Sequence, residues 1–474
     1  MQGQQKYNDE TLAPKLSLAA QQIETRSLEI GQQIFARSHS SAKSIFNRNF
    51  WQAKMMDLST SDPRVKTQLF RFVDVLPVLK NFELKRRHLI EYLARPKSAK
   101  NWPKILSLTT FLLRLPIVSW FLVYFADQQV RQMGRLFIVG QNAQEVLPKI
   151  ERLRENKTGF TLDILGEAVL SDAEAEAYRS QYFDLIESLG EESKKWKSVD
   201  LLDHSPKGEI PKVNISIKIS ALDALSDPIS FEETLARLEN RILPILRLAK
   251  EKNIFINFDM EQFSLRELVM ELFRRILFRS EFRDYPHLGI VVQAYLKSAE
   301  RDVSFWIEQA KLRKTAFSIR LVKGAYWDYE GILAEHNGWE SPVFESKWQT
   351  DLSFEDCAVK LLSAYPAIEL AIGSHNVRSI AFTASVAESL GLAKNSFEVQ
   401  MLYGMSGAFK EALIEMGYRV REYCPMGEML PGLSYLVRRL LENTANDSFL
   451  KQSFMDHAQI GELLKSPRQK GKSK

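Results

Sequence analysis

The stretch Phe317-Ser318-Ile319-Arg320-Leu321-Val322-Lys323-Gly324-Ala325-Tyr326-Trp327-Asp328 decides how this chain is read. Phe317 to Val322 has the composition of a short strand, yet Arg320 and Lys323 sit in and just after its C-terminal half. Comparable runs recur downstream of Gly159: Phe160 to Leu165, Val213 to Ile219, Ile254 to Asp259, Gly289 to Tyr295, Ile368 to Ile372, Phe397 to Leu402 and Arg419 to Tyr423. Amphipathic stretches of helical spacing separate them, among them Phe231 to Lys250, Leu265 to Phe278, Ser298 to Lys311 and Val377 to Leu390. Strand-helix units in series predict a parallel sheet, and about eight of them close a TIM barrel. A doubly wound open sheet also alternates, but no Gly-x-Gly-x-x-Gly turn follows an early strand, which disfavours a Rossmann cofactor site.

Polar side chains gather at the C-terminal ends of these runs: Glu167, Lys218, Asp259, Gln293, Arg320, Lys323, His375, Asn376, Gln400 and Tyr423. In a barrel those ends converge on one face, where active sites are built. Singly, each has a plain structural reading, as a strand cap, a turn residue or a satisfied core histidine. Together they mark a site. A last signal follows Tyr423-Cys424-Pro425-Met426-Gly427, where Arg438 and Arg439 stand side by side early on a helical stretch, an arrangement suited to a small carboxylate.

Residues upstream of Glu151 read as helix after helix, with apolar spacing at Leu69, Phe70, Phe72, Val73, Val75, Leu76 and Leu79. The organisation expected is an all-helical N-terminal arm over 1–155, a barrel over 156–450 and a basic tail over 451–474. The tail, with Lys465, Arg468, Lys470, Lys472 and Lys474, reads as a frayed, solubilising terminus. Ile105 to Ala126 is strongly apolar but carries Arg114 and Pro116, so two buried or interfacial helices are expected rather than a membrane span, with peripheral membrane contact left open.

The 474 residues suit one barrel plus an accessory region. With 64 basic and 59 acidic residues the net charge of +5 gives no argument for nucleic-acid binding. Two cysteines, Cys357 and Cys424, offer neither a disulfide framework nor a metal-ligand spacing. The polar Met1 to Glu10 lacks a signal-peptide core, so a cytoplasmic location is expected, peripheral to the inner face of the membrane at most.

Several blocks closely resemble the proline dehydrogenase family: Gly166-Glu167-Ala168-Val169, Ile217-Lys218-Ile219-Ser220, Asp259-Met260-Glu261-Gln262, Val292-Gln293-Ala294-Tyr295, Arg320 to Asp328, Ser374-His375-Asn376, Gln400 to Met405 and Tyr423 to Asn443. The resemblance covers nearly all of residues 159 to 450, and Phe50 to Met55 and Leu69 to Pro77 are similar to the arm of bifunctional proline utilization A proteins. Those proteins continue into an aldehyde dehydrogenase domain for which 474 residues leave no room, so the chain is read as a monofunctional relative or as part of a longer protein.

The resemblance implies a distorted TIM barrel that oxidises L-proline to Δ1-pyrroline-5-carboxylate with FAD, by hydride transfer to flavin N5, and passes the electrons to a quinone. It implies substrate roles for Lys218, Asp259, Leu402, Tyr423, Arg438 and Arg439, the two guanidiniums and the ammonium meeting the carboxylate. It implies flavin contacts from Gln293, Arg320, Lys323, Gly324, Ala325, Trp327, His375, Asn376 and Glu442, and a helper role for Glu167 in fixing Lys218 or Arg439. Spacing alone would make Glu442 an exposed helical partner of Arg438 or Arg439. Besides L-proline, the quinone and a membrane surface, a separate pyrroline-5-carboxylate dehydrogenase is the partner implied, with no nucleic acid and no metal. The main rival reading is a Schiff-base aldolase using Lys218, which would need an unpaired, desolvated amine. A second rival, a proline-responsive regulator, finds no convincing basic ribbon-helix unit in residues 1 to 50.

Overall fold

The computed structural model describes residues 12–41, 71–72, 75–76, 79, 81–94, 104–166, 169–428 and 457–472. Of the N-terminal region it shows helices α1 (Leu12–Ser41), α2 (Phe82–Leu93), α3 (Lys104–Leu112), α4 (Pro116–Phe137) and α5 (Ala143–Glu155). Asn81 and Asn142 cap α2 and α5 by accepting from the N–H groups of Leu84 and Glu145. Pro116 stands first in α4, where its missing N–H and fixed φ cost nothing, and so it divides the apolar run into two helices as expected.

Eight parallel strands close the barrel: β1 (Gly159–Ile164), β2 (Asn214–Ile217), β3 (Phe255–Phe258), β4 (Leu288–Gln293), β5 (Phe317–Val322), β6 (Ile368–Gly373), β7 (Phe397–Leu402) and β8 (Arg419–Met426). Each pairs with its neighbour in sequence, and β8 returns to β1. Around them run α6 (Asp172–Ser193), α7 (Phe231–Glu251), α8 (Arg266–Phe278), α9 (Ala299–Arg313), α10 (Trp327–Asn337), α11 (Lys347–Ser363), α12 (Val377–Ser389) and α13 (Gly407–Glu415). This is the (β/α)8 architecture read from the alternation.

Period-two alternation sorts the strand residues. Phe160, Leu162, Ile215, Ile256, Ile290, Ile319, Leu370 and Val399 are buried in the continuous core that also takes in the helices. The other set is largely polar: Asp163, Ser216, Asn257, Arg320, Glu398, Gln400 and Arg421 are all buried. The interior of this barrel is therefore rich in polar groups and charged pairs, where branched apolar layers are usual in the fold. At one level of it, Glu398 faces Arg421 at 2.9 Å and Arg419 at 3.4 Å.

One region differs from the reading of the sequence. The C-terminal tail does not simply fray: α14 (His457–Leu463) and α15 (Pro467–Lys472) fold back, Leu464 is fully buried, and its side chain fills the space beside Gly31 of α1. A few apolar residues among the lysines suffice to anchor it. The α3–α4 pair is only partly buried. Leu113 and Val123 are packed, whereas Phe111, Ile117, Trp120, Phe121, Tyr124 and Phe125 are more than half exposed. Among the described residues no helix is long and apolar enough to cross a membrane.

The Glu398 ion pairs generate a stability prediction. Burial opposes the Glu398 charge, but Arg421 and Arg419 outweigh it and hold the carboxyl down, from 4.5 to about 2. E398Q should cost about 3–5 kcal/mol near neutral pH, because it leaves buried guanidiniums unpaired. A depressed carboxyl stabilises the fold above its unfolded pKa and loses that contribution as pH falls through its folded pKa. The gap between wild type and E398Q in urea unfolding should therefore shrink as pH is lowered from 4.5 towards 2.

Candidate active site

Strand register brings the polar strand ends together. Tyr423 on β8 lies opposite Leu402 on β7 and Thr161 on β1, and the run Gln293, Val322, Gly373, Gln400 steps across β4 to β7. These ends ring a cavity of about 340 Å³. Of the residues read from the sequence, Lys218, Asp259, Gln293, Arg320, Lys323, Gly324, Ala325, His375, Asn376, Gln400, Leu402 and Tyr423 line it.

Asp259 is the hub. Its Oδ1 accepts from Arg320 at 2.6 Å and from Asn257 at 3.0 Å, and its Oδ2 accepts from the Tyr423 hydroxyl at 2.7 Å. Arg320 also donates to Ser216 Oγ, at 3.2 and 3.3 Å, and its guanidinium lies 5.3 Å from the Tyr423 ring centroid. Lys218 Nζ is 3.9 Å from Asp259 Oδ2 and 3.5 Å from the Tyr423 hydroxyl, and donates to Asp163. Burial works against the Lys218 charge, but Asp163 and Asp259 outweigh it and raise its pKa. Lys218 is thus a paired ammonium, not the neutral amine that a Schiff-base lysine requires, and the aldolase reading loses its nucleophile.

A second group positions β7. His375 Nε2 accepts the Leu402 N–H at 3.0 Å, which leaves the ring proton on Nδ1, 3.0 Å from Ser406 Oγ. Lys410 takes the Leu402 carbonyl at 3.0 Å and also pairs with Glu422 at 2.9 Å. Leu402 is held from both sides of its peptide unit, so its side chain is presented to the cavity by a rigid backbone. Asn376 does double duty: it lines the cavity and caps α12 through Ser379.

Lys323 pairs with Asp351 of α11 and lies over the Phe354 ring, and burial pulls its pKa below the ordinary value against the attraction of Asp351. Gly324 has φ +130, and a Cβ there would meet the Tyr295 ring at 2.3 Å, so no side chain fits at this bend.

Not every expected residue falls here. Trp327 is 43% exposed, is not part of the cavity lining, and donates its indole N–H to the Phe344 carbonyl. Glu167, Arg438, Arg439 and Glu442 lie outside the described residues. The carboxylate on Lys218 is that of Asp163, which sequence reasoning missed, although an acid between Leu162 and Ile164 inside a strand was the signal. Glu261, Tyr326 and Lys347 also line the cavity. Lys347 begins a helix after a long loop, where nothing in the sequence separates it from a solvated lysine.

Buried polar atoms at the cavity test its fit to a flavin. Gln293 Oε1, Gln400 Oε1 and Arg320 Nε have no hydrogen-bond partner among the described residues. Atoms of this kind call for a ligand rich in both donors and acceptors, and the isoalloxazine ring with its imide edge has both.

The profile of the family described as proline dehydrogenase matches residues 146–452, and that of the proline utilization A N-terminal domain matches residues 24–137. The chain belongs to the proline dehydrogenase family. It is similar to the bifunctional protein PutA of Klebsiella aerogenes, 32% identical over 348 residues that make up 72% of this chain and 26% of that protein. It is also similar to proline dehydrogenase 1 of Bacillus subtilis strain 168, 28% identical over 70% of this chain and 95% of that protein. Among solved structures, proline utilization A from Bdellovibrio bacteriovorus, inactivated by N-propargylglycine, superposes with a TM-score of 0.84 at 40% identity, covering 94% of this chain and 44% of that one. The chain thus spans about a quarter of the curated bifunctional relative and under half of the solved one.

Removing charge from the hub should cost far more than removing a hydroxyl. D259N leaves Arg320 buried without its anion, an expected loss of about 3–5 kcal/mol. Y423F deletes one hydrogen bond from a carboxylate that keeps two others, an expected loss of about 1–2 kcal/mol. Denaturant unfolding of the two variants side by side checks the ordering.

Proposed function

We propose that this chain oxidises L-proline to Δ1-pyrroline-5-carboxylate with FAD and delivers the electrons to a quinone. The observation that carries the reading is the cluster of Asp259, Arg320, Lys218 and Tyr423 beside a cavity whose buried polar atoms await a partner, in a chain of this family. In this reading the substrate carboxylate meets Lys218 and the Arg438-Arg439 pair, a charge-assisted fork that fixes the end of the molecule remote from the reacting carbon. Leu402 and the Tyr423 ring pack against the pyrrolidine. FAD would be held by Gln293, Arg320, Lys323, Gly324, Ala325, His375, Asn376 and Glu442, and when bound it supplies the hydride acceptor, N5. Because the departing hydride leaves an iminium stabilised by nitrogen, the protein needs no strong base at the carbon, and positioning and electrostatics do most of the catalysis. The product would pass to a pyrroline-5-carboxylate dehydrogenase.

The purified protein should show an oxidised-flavin spectrum that bleaches with L-proline under anaerobic conditions and does not bleach with D-proline or glutamate. Arg438→Met or Arg439→Met should keep the flavin and raise the proline concentration for half-bleaching by about tenfold to a hundredfold, the worth of one hydrogen bond between charged groups. A colourless protein that stays unresponsive after FAD is added would overturn the reading.

A lipid-soluble acceptor favours peripheral contact with a membrane, and the outer face of α4 supports it. Trp120 and Tyr124 stack at 5.5 Å beside exposed Ile117, Phe121 and Phe125, and no acidic residue occurs between Lys104 and Ala126. Aromatic residues with cations and no anions suit an anionic lipid surface. The protein should co-sediment with vesicles containing phosphatidylglycerol, and the double variant W120E/F121E should abolish sedimentation without changing proline-dependent bleaching. Equal sedimentation of both proteins would exclude this face.

A further inference from the structure

We propose that Asp163 is a positioning residue that holds the Lys218 ammonium off Asp259 and thereby keeps Tyr423 seated at the substrate site. The inference rests on the proline-oxidation reading and adds to it a residue of the cavity wall that acts through Lys218.

Asp163 sits near the end of β1 and is 1% exposed. β1 and β3 flank β2, the strand that leads into Lys218, so Asp163 and Asp259 lie on either side of that lysine, and Asp163 takes the hydrogen bond from Lys218 Nζ. Asp259 is already engaged at both oxygens, by Arg320 and Asn257 on Oδ1 and by Tyr423 on Oδ2. Lys218 Nζ is only 3.9 Å from that Oδ2. A buried ammonium deprived of one anion moves to the next. Here the next anion is the atom that anchors the Tyr423 hydroxyl, so a shift of about 1 Å by Lys218 displaces Tyr423 from the ring it packs against, and misplacement on that scale is worth on the order of 10²-fold in rate.

Among the described residues, two carboxylates, Asp163 and Asp259, pair with two cations, Lys218 and Arg320, and the hydroxyls of Tyr423, Tyr182 and Tyr178 also face this group. Burial raises the pKa of Tyr182 and Tyr178, so neither replaces the missing anion at neutral pH. The isosteric change D163N therefore leaves, among the described residues, only Asp259 to serve Lys218 and Arg320.

The test is a double-variant comparison of D163N, K218M and D163N/K218M, all assayed for flavin content, unfolding and proline-dependent bleaching. D163N is expected to keep its flavin while kcat/KM for proline falls on the order of 10²-fold. D163E, which retains the charge, should recover part of that loss. In the K218M background the sign reverses: K218M leaves Asp163 as an unpaired buried anion, so adding D163N should restore stability and cause no further loss of kcat/KM. A D163N enzyme within about threefold of wild type in kcat/KM, a resolution set by mutant kinetics, would overturn the proposal. So would equal losses from D163N in the two backgrounds, the mark of a merely structural role. Should the wild type itself fail to bleach with proline, the functional reading falls, and the crystal structure of D163N still decides the positioning. Lys218 within hydrogen-bond distance of Asp259 Oδ2 with Tyr423 displaced supports it, and an unmoved Tyr423 refutes it.

Discussion

The ion pair between Arg320 and Asp259, 2.6 Å long and buried on both sides, is the interaction on which the rest of this barrel depends. It links β5 to the end of β3 across the interior, and Ser216, Asn257 and Tyr423 are arranged around it. Desolvating two such groups costs several kcal/mol each, and only a full set of hydrogen bonds makes the arrangement tolerable. That need accounts for the polar alternation of strands that elsewhere in the fold would be lined by valine and isoleucine. Stability is given up inside the barrel so that charge can be held in place at its mouth.

The surroundings make this interior rigid. Leu402 is gripped through its N–H by His375 and through its carbonyl by Lys410. The arm contributes directly: Val139 donates to the Pro425 carbonyl and Gly427 donates to that of Gly140, an isolated bridge at the C-terminal end of β8. Gly404, at φ +76, lies so close to the Leu136 carbonyl that a Cβ would be 2.0 Å from it. Through these contacts the end of α4 bears on the strand ends that carry Leu402 and Tyr423, so the helical arm is part of the framework of the site and not a detachable appendage. The exposed aromatic face of the same helix lies toward its other end.

Charge pairing also recurs at a distance from the cavity. Arg378 of α12 is bound by Glu355 of α11 and by Glu24 of α1, with Leu464 also accepting from it, so that the first helix, two barrel helices and the C-terminal segment share one guanidinium. This is why the tail has a fixed place despite its lysines: Leu464 and Ile460 supply burial, and a buried arginine supplies the orientation.

The strands of this barrel were legible because strand composition, length and alternation with amphipathic helical stretches are local properties. Phe317–Val322 and Phe397–Leu402 were placed without error, and the other six to within a few residues. The gathering of Lys218, Asp259, Arg320 and Tyr423 at one face was legible too, since a parallel barrel sends every strand's C-terminal end the same way. What local pattern did not carry was partnership. Asp163 lies 55 positions from Lys218, Asp351 is 28 from Lys323, and Ser406 is 31 from His375. Which carboxylate meets which cation depends on register and burial, and the exposure of Trp327 and of the α4 aromatics depends on what packs over them. The sequence by itself determined the fold and the chemistry on offer at the barrel mouth. Only the tertiary structure decided how those charges are paired, because pairing is a matter of a few ångströms across the interior and leaves no trace in spacing along the chain.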